Sequence, residues 1–339
     1  MTSVKEFQVE KAPTPDRLGQ GRFLFTDDYS VFDWGKMPDA IPEKGASLCS
    51  MGAANFELLE DNGIATHYGG VIDKGETTTL EEVTLPPQEM VIDLTRVPEL
   101  PHEGRTYDYD AFHAAAGENY LVPLEIVFRN TVPVGSSLRD RRSPEDIGLD
   151  IDSWPDEPVD LPEPVIEFTT KYENSDRLLD RDQADRIAGK AGVDELEKLA
   201  RSVNECITER AASAGFDHQD GKIECLYFDG ELRVADVVGT FDENRFAYNG
   251  QQLSKEVLRQ FHKRTQPEWV SAVSAAKDTA KEEDIADWRS LCDVEPEPLD
   301  RSVIETMSDL YTAGANAYVS RDLFDTPSID AAIEAVSEL

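Results

Sequence analysis

Apolar and polar residues in the first hundred positions alternate in short runs, which is typical of β-strands. Strands are predicted in four segments, 22–33, 64–72, 78–84 and 89–97. A polar turn at 26–28 divides the first segment into two short strands. From Ala46 apolar side chains instead recur at helical spacing, and Gly63 follows where a helix would end, so we predict a helix over 46–61. The N-terminal region is therefore predicted to be a β-rich lobe with one main helix.

The rest of the chain mixes strand and helix patterns. An apolar run predicts a buried strand at 119–130, and 222–238 predicts a β-hairpin with Asp229 and Gly230 at its turn. Apolar residues at helical spacing predict six helices, at 181–190, 193–214, 254–262, 267–281, 300–314 and 327–338. These patterns indicate an α/β lobe that is larger than the first.

Two polar segments interrupt the predicted elements. Residues 98–117 contain one short helix pattern, and the acidic, proline-rich segment 140–164 predicts a solvated loop. We therefore predict an α+β protein of two lobes, in which 1–118 form the β-rich lobe and 119–339 form the α/β lobe.

Acidic residues outnumber basic ones, since 69 Asp and Glu stand against 33 Lys and Arg in 339 residues, for a net charge of −36. This excludes binding to nucleic acid by general electrostatics, which needs a basic surface, and an anionic membrane would repel the chain for the same reason. The acids lie along the whole length, and high salt would screen their mutual repulsion. We therefore hypothesise a halophilic protein from a salt-rich cytoplasm.

The sequence shows neither a membrane span nor a secretion signal, because no apolar run approaches about 20 residues and residues 1–18 are charged. We therefore expect a cytoplasmic protein. The four cysteines stand singly, without a CxxC pair or a histidine at ligand spacing, so we expect reduced thiols and neither zinc nor disulfides.

A glycine-rich segment is the first candidate for phosphate binding. Gly19, Gln20, Gly21 and Arg22 precede a strand, where the glycines would let backbone amides approach a polyphosphate and the guanidinium would supply charge. The segment matches neither the P-loop nor the Rossmann fingerprint. An ordinary turn before a strand is the alternative explanation.

The predicted hairpin carries charges among apolar residues, and such charges are costly to bury unless they are paired or bound to a ligand. Lys222 and Glu224 lie on its first strand and Asp236 on its second, and two carboxylates with a lysine suit Mg²⁺ and the phosphates it bridges. A structural salt bridge is the alternative. The metal hypothesis predicts a three-residue turn, because a two-residue turn would pair Phe228 with Glu231 and place the two carboxylates on opposite faces.

Two arginines stand beside residues that could complete an anion site. Arg129 ends the apolar strand and is followed by Gly135 and Ser136, while Arg245 follows the acidic hairpin. Surface ion pairs with the abundant acids are the alternative for both. No histidine, serine or cysteine motif typical of a hydrolase accompanies them.

In their order and spacing, several segments resemble the SAICAR synthetase (phosphoribosylaminoimidazole-succinocarboxamide synthase) family of purine biosynthesis. The matching segments are DYSVFD at 28–33, IPEKG at 41–45, NFELLED at 55–61, PLEIVFR at 123–129, LPEP at 161–164, TKYE at 170–173, DGKIE at 220–224 and ADVVGTFDENR at 235–245. The resemblance implies a SAICAR synthetase-like α+β fold of two lobes with ATP bound between them.

The resemblance also implies an activity. In an ATP-dependent ligase of this family, ATP would phosphorylate the carboxylate of carboxyaminoimidazole ribonucleotide (CAIR), and the amine of L-aspartate would displace phosphate to form SAICAR. Mg²⁺ would accompany ATP, and the partners would be these small molecules, with a homo-oligomer left open. A small-molecule kinase of related fold and an acidic, non-enzymatic interaction protein are the alternatives.

Site roles follow from the resemblance residue by residue. The ATP phosphates would be covered by Gly19, Gln20, Gly21 and Arg22, and Mg²⁺ would be held by Glu224 and Asp236. Catalysis would involve Lys222, Asp236 and Lys171. The ribonucleotide would be bound by Arg129, Ser136 and Arg245. Three positions depart from the family pattern: Gln20 replaces a lysine, Val237 replaces a glutamate, and an insertion falls between about 98 and 119.

Overall fold

The computed structural model describes residues 5–134, 136–173, 176–283, 285 and 287–339. Five strands come from the N-terminal region: β1 (Lys5–Lys11), β2 (Gly19–Phe25), β3 (Tyr68–Asp73), β4 (Glu76–Thr78) and β5 (Glu89–Leu94). They form an antiparallel sheet in the order β1–β2–β5–β3–β4. The β-rich N-terminal region is therefore confirmed.

Three details of this sheet differ from the prediction. Strand β1 was not among the predicted strands: Phe7 and Val9 alternate with polar residues there, but only Lys5 of its seven residues is buried. After the turn at 26–28 the described chain makes an isolated bridge from Asp28 to Ala40 and no second strand. Residues Leu80–Glu82 form a 3₁₀ helix where the pattern predicts the middle of a strand.

A small hairpin, β6 (His102–Glu103) and β7 (Thr106–Tyr107), precedes a second, eight-stranded sheet. The eight strands are β8 (Asn119–Leu121), β9 (Leu124–Val132), β10 (Val159–Thr170), β11 (Leu178–Leu179), β12 (Asp217–Phe228), β13 (Glu231–Ala235), β14 (Asn244–Tyr248) and β15 (Gln251–Gln252). Six follow the order β11–β10–β9–β12–β14–β15, while β8 and β13 pair with β12. The predicted strand 119–130 is thus divided between β8 and β9, and Pro123, which has no N–H group, lies between them.

The helices pack around these sheets. In the described residues they are α1 (Lys44–Asp61), α2 (Tyr109–Ala116), α3 (Ser137–Arg141), α4 (Arg181–Ala188), α5 (Val193–Ser213), α6 (Glu256–Thr265), α7 (Pro267–Glu283), α8 (Arg301–Val319) and α9 (Ile329–Ser337). All seven helices given bounds in the sequence analysis are confirmed, with shifts of a few residues at their ends. Helix α1 packs against α8, so N- and C-terminal segments share one core. The division at residue 118 stays a prediction.

The segment 140–164 is only partly a loop. Helix α3 ends at Arg141, a 3₁₀ helix covers Glu145–Ile147, and β10 begins at Val159. The first half of β10 is mostly exposed, which is why the polar sequence there does not show the alternation of a half-buried strand.

Cys49 and Cys225 are buried, whereas Cys206 and Cys292 are partly exposed. Within the described ranges, none of the helices has an apolar stretch that could cross a membrane.

Strands β9 and β12 have one apolar and one charged face. Ile126 and Phe128 of β9 and Ile223 of β12 are buried on the first face, and α5 packs against both strands. Because side chains alternate along a strand, the intervening positions lie on the second face, where Arg129 is directly opposite Asp220. This second face holds most of the predicted site residues.

Candidate active site

A cavity of about 430 Å³ lies between the two sheets. Part of its wall is aromatic or aliphatic and includes Phe7, Phe23, Ile92 and Leu94. Another part is charged and consists of Lys5, Lys171, Glu224 and Asp236, with Asp93 beside the apolar wall. An apolar surface next to a group of charges suits a ligand that joins a ring to a polyphosphate.

A larger open groove, of about 750 Å³, runs along residues 101–110 in the predicted insertion. It contains none of the predicted site residues. Because the charged groups converge in the smaller cavity, we take that cavity and the adjoining sheet face as the candidate active site.

The glycines and the arginine of strand β2 lie on opposite faces of the strand. Phe23 lines the cavity, and Gly21 shares its face because one residue separates them. Arg22 lies on the other face, with Nε 2.5 Å from Glu10 Oε1 and Nη1 3.3 Å from Glu89 Oε2. This corrects the expectation for Arg22, because strand alternation directs its side chain away from the cavity.

The preceding residues follow the same alternation. Gly19 is buried on the face that Gly21 shares, whereas Gln20 is exposed beside Arg22. The glycines therefore lie on the cavity side of β2, and Gln20 does not.

Lys5, which the sequence analysis did not single out, supplies charge on the cavity side. Its side chain is buried and forms an ion pair with Asp236. Its Nζ lies 4.5 Å from the centre of the Phe23 ring, and pairing of β1 with β2 places Lys5 opposite Phe25. Alternating polar and apolar letters in KEFQVEK are the one local signal that could have predicted this strand.

The hairpin turn differs from the prediction of the metal hypothesis. Phe228 pairs with Glu231, so the loop contains only Asp229 and Gly230, whose φ angles are 49° and 88°. Two consecutive positive φ angles are those of a type I′ turn. The predicted three-residue turn is wrong. Strand register places Asp236 on the face opposite Glu224, so the register argument for a metal site at the hairpin fails.

Asp236 reaches the cavity through its own backbone conformation. Strand β13 ends at Ala235, and Asp236 has φ 62°, in the left-handed region that is costly for a non-glycine residue. Its carbonyl oxygen lies 3.0 Å from His67 Nε2. Both Asp236 and Glu224 consequently line the same cavity.

These two carboxyl groups differ in acidity because their surroundings differ. Burial raises the pKa of Glu224 to about 7, the charge of Asp236 adds to this effect, and the ion pair with Lys171 opposes it. Burial also disfavours ionised Asp236, but Lys5 and Lys171 outweigh burial and lower its pKa to about 2. One group thus stays ionised while the other takes up a proton near neutral pH.

Lys222 continues the charged face of β12 beyond Glu224. Its Nζ lies 2.6 Å from Glu125 Oε1 and 3.4 Å from Glu243 Oε2. Burial disfavours its positive charge, but Glu243 and Glu125 raise its pKa above the ordinary value, so the ammonium group stays charged.

Asp220 joins the two predicted arginines. Arg129 Nη1 donates to its Oδ2 at 3.3 Å and Arg245 Nε donates to its Oδ1 at 2.8 Å. Arg129 Nε also donates to Glu167 at 2.8 Å. The structure therefore brings Arg129 and Arg245 together at Asp220. Asp220 lies two residues before Lys222 on β12.

Ser136 is buried and caps α3, where its Oγ accepts a hydrogen bond from Leu138 N at 3.3 Å. Gly135 lies outside the described residues. The anion cradle expected from these two residues stays a prediction.

The acidic partners are the site residues that sequence reasoning missed: Glu125, Glu167, Asp220 and Glu243. Each is paired with a predicted cation, but acids are so frequent in this chain that spacing does not distinguish these four. Lys44 and Asp242 were also missed, although both lie in matching segments, and they form a buried pair at 2.7 Å.

Sequence comparison identifies relatives along the whole chain. The profile of the SAICAR synthetase family matches residues 14–276. A protein from Archaeoglobus fulgidus, provisionally assigned as a phosphoribosylaminoimidazole-succinocarboxamide synthase, is 39% identical over 347 aligned positions. The alignment covers 100% of this chain and 99% of that relative.

Solved structures show the same architecture. A SAICAR synthetase in complex with ADP matches with a TM-score of 0.54 and 23% identity, over 88% of this chain and 99% of that one. The Saccharomyces cerevisiae enzyme complexed with SAICAR matches with a TM-score of 0.62 and 17% identity, over 94% and 93% of the two chains. These likenesses confirm the predicted α+β fold.

Proposed function

Because this chain belongs to the SAICAR synthetase family, we propose that it is the ATP-dependent ligase that joins L-aspartate to CAIR and yields SAICAR, ADP and phosphate. The observation that carries the proposal is the cavity between the sheets, where an apolar wall meets Lys5, Lys171, Glu224 and Asp236. The complexes of two structural relatives hold ADP and SAICAR, which are products of this reaction.

ATP would bind in this cavity with its base against the apolar wall and its phosphates toward Lys5. Phe7 borders the opening and is 54% exposed, so a bound base would cover apolar surface that is now in water. The space beside Gly19 is filled by the Lys11 carbonyl and Pro13, and that beside Gly21 by the Gln8 carbonyl and Leu94, so these glycines allow close strand packing and leave no room there for phosphates.

Glu224 and Asp236 fit Mg²⁺ as a pair of ligands. No cluster of three or more potential protein ligands occurs in the described part of the chain, but Mg²⁺ takes one or two carboxylates and completes its shell with phosphate oxygens and water. Both carboxylates line the same cavity, where Glu224 pairs with Lys171 and Asp236 pairs with Lys5. When bound, Mg²⁺ would neutralise charge on the phosphates.

The charged face beyond Glu224 would bind the acceptor. Arg129 and Arg245 would hold the phosphate of the ribonucleotide, and Lys222 would neutralise the carboxylate that receives the phosphoryl group. Phosphoryl transfer needs positioning and charge neutralisation more than covalent chemistry from the protein. Because Asp220 already pairs with both arginines, they are held in place before the substrate arrives.

Lys171 lies where the two parts of the site meet. Its ion pair with Glu224 and its attraction to Asp236 place one ammonium group beside both carboxylates. It would stabilise charge that develops between the ATP phosphates and the acceptor carboxylate.

An ADP-release assay in molar KCl tests this function, with ATP, CAIR and L-aspartate each omitted in turn. Release that requires all three substrates supports the ligase. Release with a polyol in place of CAIR and L-aspartate would instead support a kinase. The absence of any Mg²⁺-dependent ADP release would support the non-enzymatic alternative.

We also propose that the enzyme works in a salt-rich cytoplasm. The net charge of −36 comes from acids spread along the whole chain, and salt would screen the repulsion among those on the surface.

A further inference from the structure

The position of the Asp236 carboxylate does not follow from strand register. Glu224 is directly opposite Ala235, so a regular strand would direct the next side chain, that of Asp236, to the other face. Asp236 instead lines the cavity together with Glu224, and its backbone has a φ of 62°. A non-glycine residue keeps a left-handed conformation only where its surroundings enforce it. A contact at the main chain of Asp236 must therefore hold this conformation.

His67, which also lines the cavity, makes such a contact. Its Nε2 lies 3.0 Å from the carbonyl oxygen of Asp236. A carbonyl oxygen can only accept a hydrogen bond, so Nε2 carries the hydrogen and donates it. The His67 side chain is buried, and little water can compete for this bond. The bond therefore acts on the main chain at the residue whose φ is unusual.

The main chain of His67 is itself fixed from two directions. Its N–H donates to Val234 O at 3.0 Å, and its carbonyl oxygen accepts from Asp93 N at 2.7 Å. Val234 N donates to Ala65 O at 2.9 Å, so residues 65–67 run alongside the end of β13. Asp93 belongs to β5 of the first sheet and Val234 to β13 of the second. His67 thus joins the two sheets that enclose the cavity.

Aromatic neighbours fix the orientation of the His67 ring. The ring lies 5.9 Å from that of Phe23, at an interplanar angle of 59°, and 5.4 Å from that of Phe56, at 58°. Both phenylalanines are buried. Rings packed in this way have little freedom to rotate, so the hydrogen bond to Asp236 has a set direction.

Lys5 holds the other end of Asp236 through an ion pair with the carboxylate. A lysine ammonium group is carried on a flexible four-carbon stem and can follow a carboxylate to more than one position. The ion pair by itself therefore does not select the backbone conformation. The hydrogen bond from His67 does, because it acts on the main chain and comes from a ring that is held in place.

We propose that His67 is a positioning residue, which keeps Asp236 in its left-handed conformation and so directs the carboxylate toward Glu224, where the pair would hold Mg²⁺. The inference rests on the binding of nucleotide with Mg²⁺ in the proposed function. Without the donor at His67, Asp236 would relax toward an ordinary φ and its carboxylate would leave the site.

The test measures how much Mg²⁺ strengthens the binding of ADP. ADP is titrated calorimetrically into the intact protein in molar KCl, once with Mg²⁺ and once with EDTA, and the ratio of the two dissociation constants gives the coupling. We expect His67→Phe, which keeps a ring but removes the donor, to lower this ratio about tenfold, as the loss of one hydrogen bond would. ADP affinity in EDTA should not fall, because an Asp236 carboxylate without Mg²⁺ repels the phosphates.

Further variants separate positioning from stability. His67→Gln should keep most of the ratio, because its amide can donate to the same carbonyl, whereas the shorter amide of His67→Asn should not reach and should lower the ratio as His67→Phe does. This amide pair also provides the comparison if His67→Phe does not fold. His113→Phe is the matched control, since it removes a similar bond, from His113 Nε2 to Ile187 O at 2.9 Å, and should leave the ratio unchanged.

A ratio that is equal in the wild type, His67→Phe and His67→Asn would overturn the inference. An equal loss in His113→Phe, or a wild type whose ADP affinity does not depend on Mg²⁺, would overturn it as well. If Mg²⁺ strengthens ADP binding as expected but the wild type shows no three-substrate ADP release, the proposed ligase function fails and the role of His67 stands. Thermal unfolding of each variant before titration ensures that only folded protein is compared.

Discussion

The buried ion pair of Lys44 and Asp242 allows a quantitative test of how this site region is stabilised. Lys44 begins α1 and its side chain is fully buried, with Nζ 2.7 Å from Asp242 Oδ2. Tyr311 donates its hydroxyl to the other carboxylate oxygen at 3.0 Å. We predict that Lys44→Met destabilises the fold, because the Asp242 carboxylate stays buried after losing its cation.

The magnitude follows from this geometry. Removing one partner of a buried ion pair costs about 3–5 kcal/mol. The Tyr311 hydroxyl and the charge of Lys255 still stabilise the carboxylate, so we expect the lower end, about 3 kcal/mol. The double variant Lys44→Met/Asp242→Asn should recover part of this loss, because it leaves no buried charge unpaired.

The pH dependence gives an independent check. Burial disfavours ionised Asp242, but Lys44 and Lys255 outweigh burial and lower its pKa. A carboxyl group with a lowered folded pKa stabilises the fold above its unfolded pKa of about 4 and loses that contribution as pH falls through the folded pKa. The difference between wild type and Lys44→Met should therefore be complete at neutral pH and shrink in acid.

Urea unfolding followed by circular dichroism at constant KCl measures these free energies, since urea leaves charge screening unchanged. The pair of exposed Lys36 with Asp28 provides the control, because Lys36→Met leaves no fully buried charge and should cost less than about 1 kcal/mol. A loss below about 1 kcal/mol for Lys44→Met, or a double variant no more stable than the single one, would refute the reasoning.

Three further outcomes concern the site and the surface. Glu224→Gln should lower Mg²⁺-dependent ADP release by about a hundredfold or more. Because a proton on Glu224 competes with Mg²⁺, the Mg²⁺ concentration needed for half-maximal wild-type activity should rise as pH drops below about 7; a half-maximal concentration that does not change with pH would contradict this role. Arg245→Met should raise KM for CAIR about tenfold and leave KM for ATP unchanged in steady-state kinetics. Transfer from molar KCl to dilute buffer should lower the urea midpoint, because repulsion among the surface acids is no longer screened; an equal midpoint would contradict the halophilic proposal.

Helices were predictable because each carries its own signal. In α5, for example, Leu196, Val203 and Ile207 recur at helical spacing and are all buried. Strands depended more on their neighbours. β1 and the start of β10 have almost no buried apolar residues, so their pairing with β2 and β9 is visible only in the folded chain.

The kinds of residue at the site were also predictable, whereas their orientation was not. A lysine, two carboxylates and two arginines in matching segments were enough to identify the residues of the charged face. Arg22 shows the limit, because its strand borders the cavity through Phe23 but strand alternation directs Arg22 to Glu10 and Glu89. Lys5 supplies charge to the cavity instead.

The sequence by itself determined the helices, the charge of the surface and the chemical inventory of the site, because periodicity, composition and motif order are local properties of the chain. Only the tertiary structure decided which acid holds which cation and which side chains share the cavity. Asp236 is the clearest case, since a two-residue turn would have placed it on the wrong face and one left-handed residue returns it to Glu224. Such choices depend on strand register and on single backbone angles that distant contacts enforce.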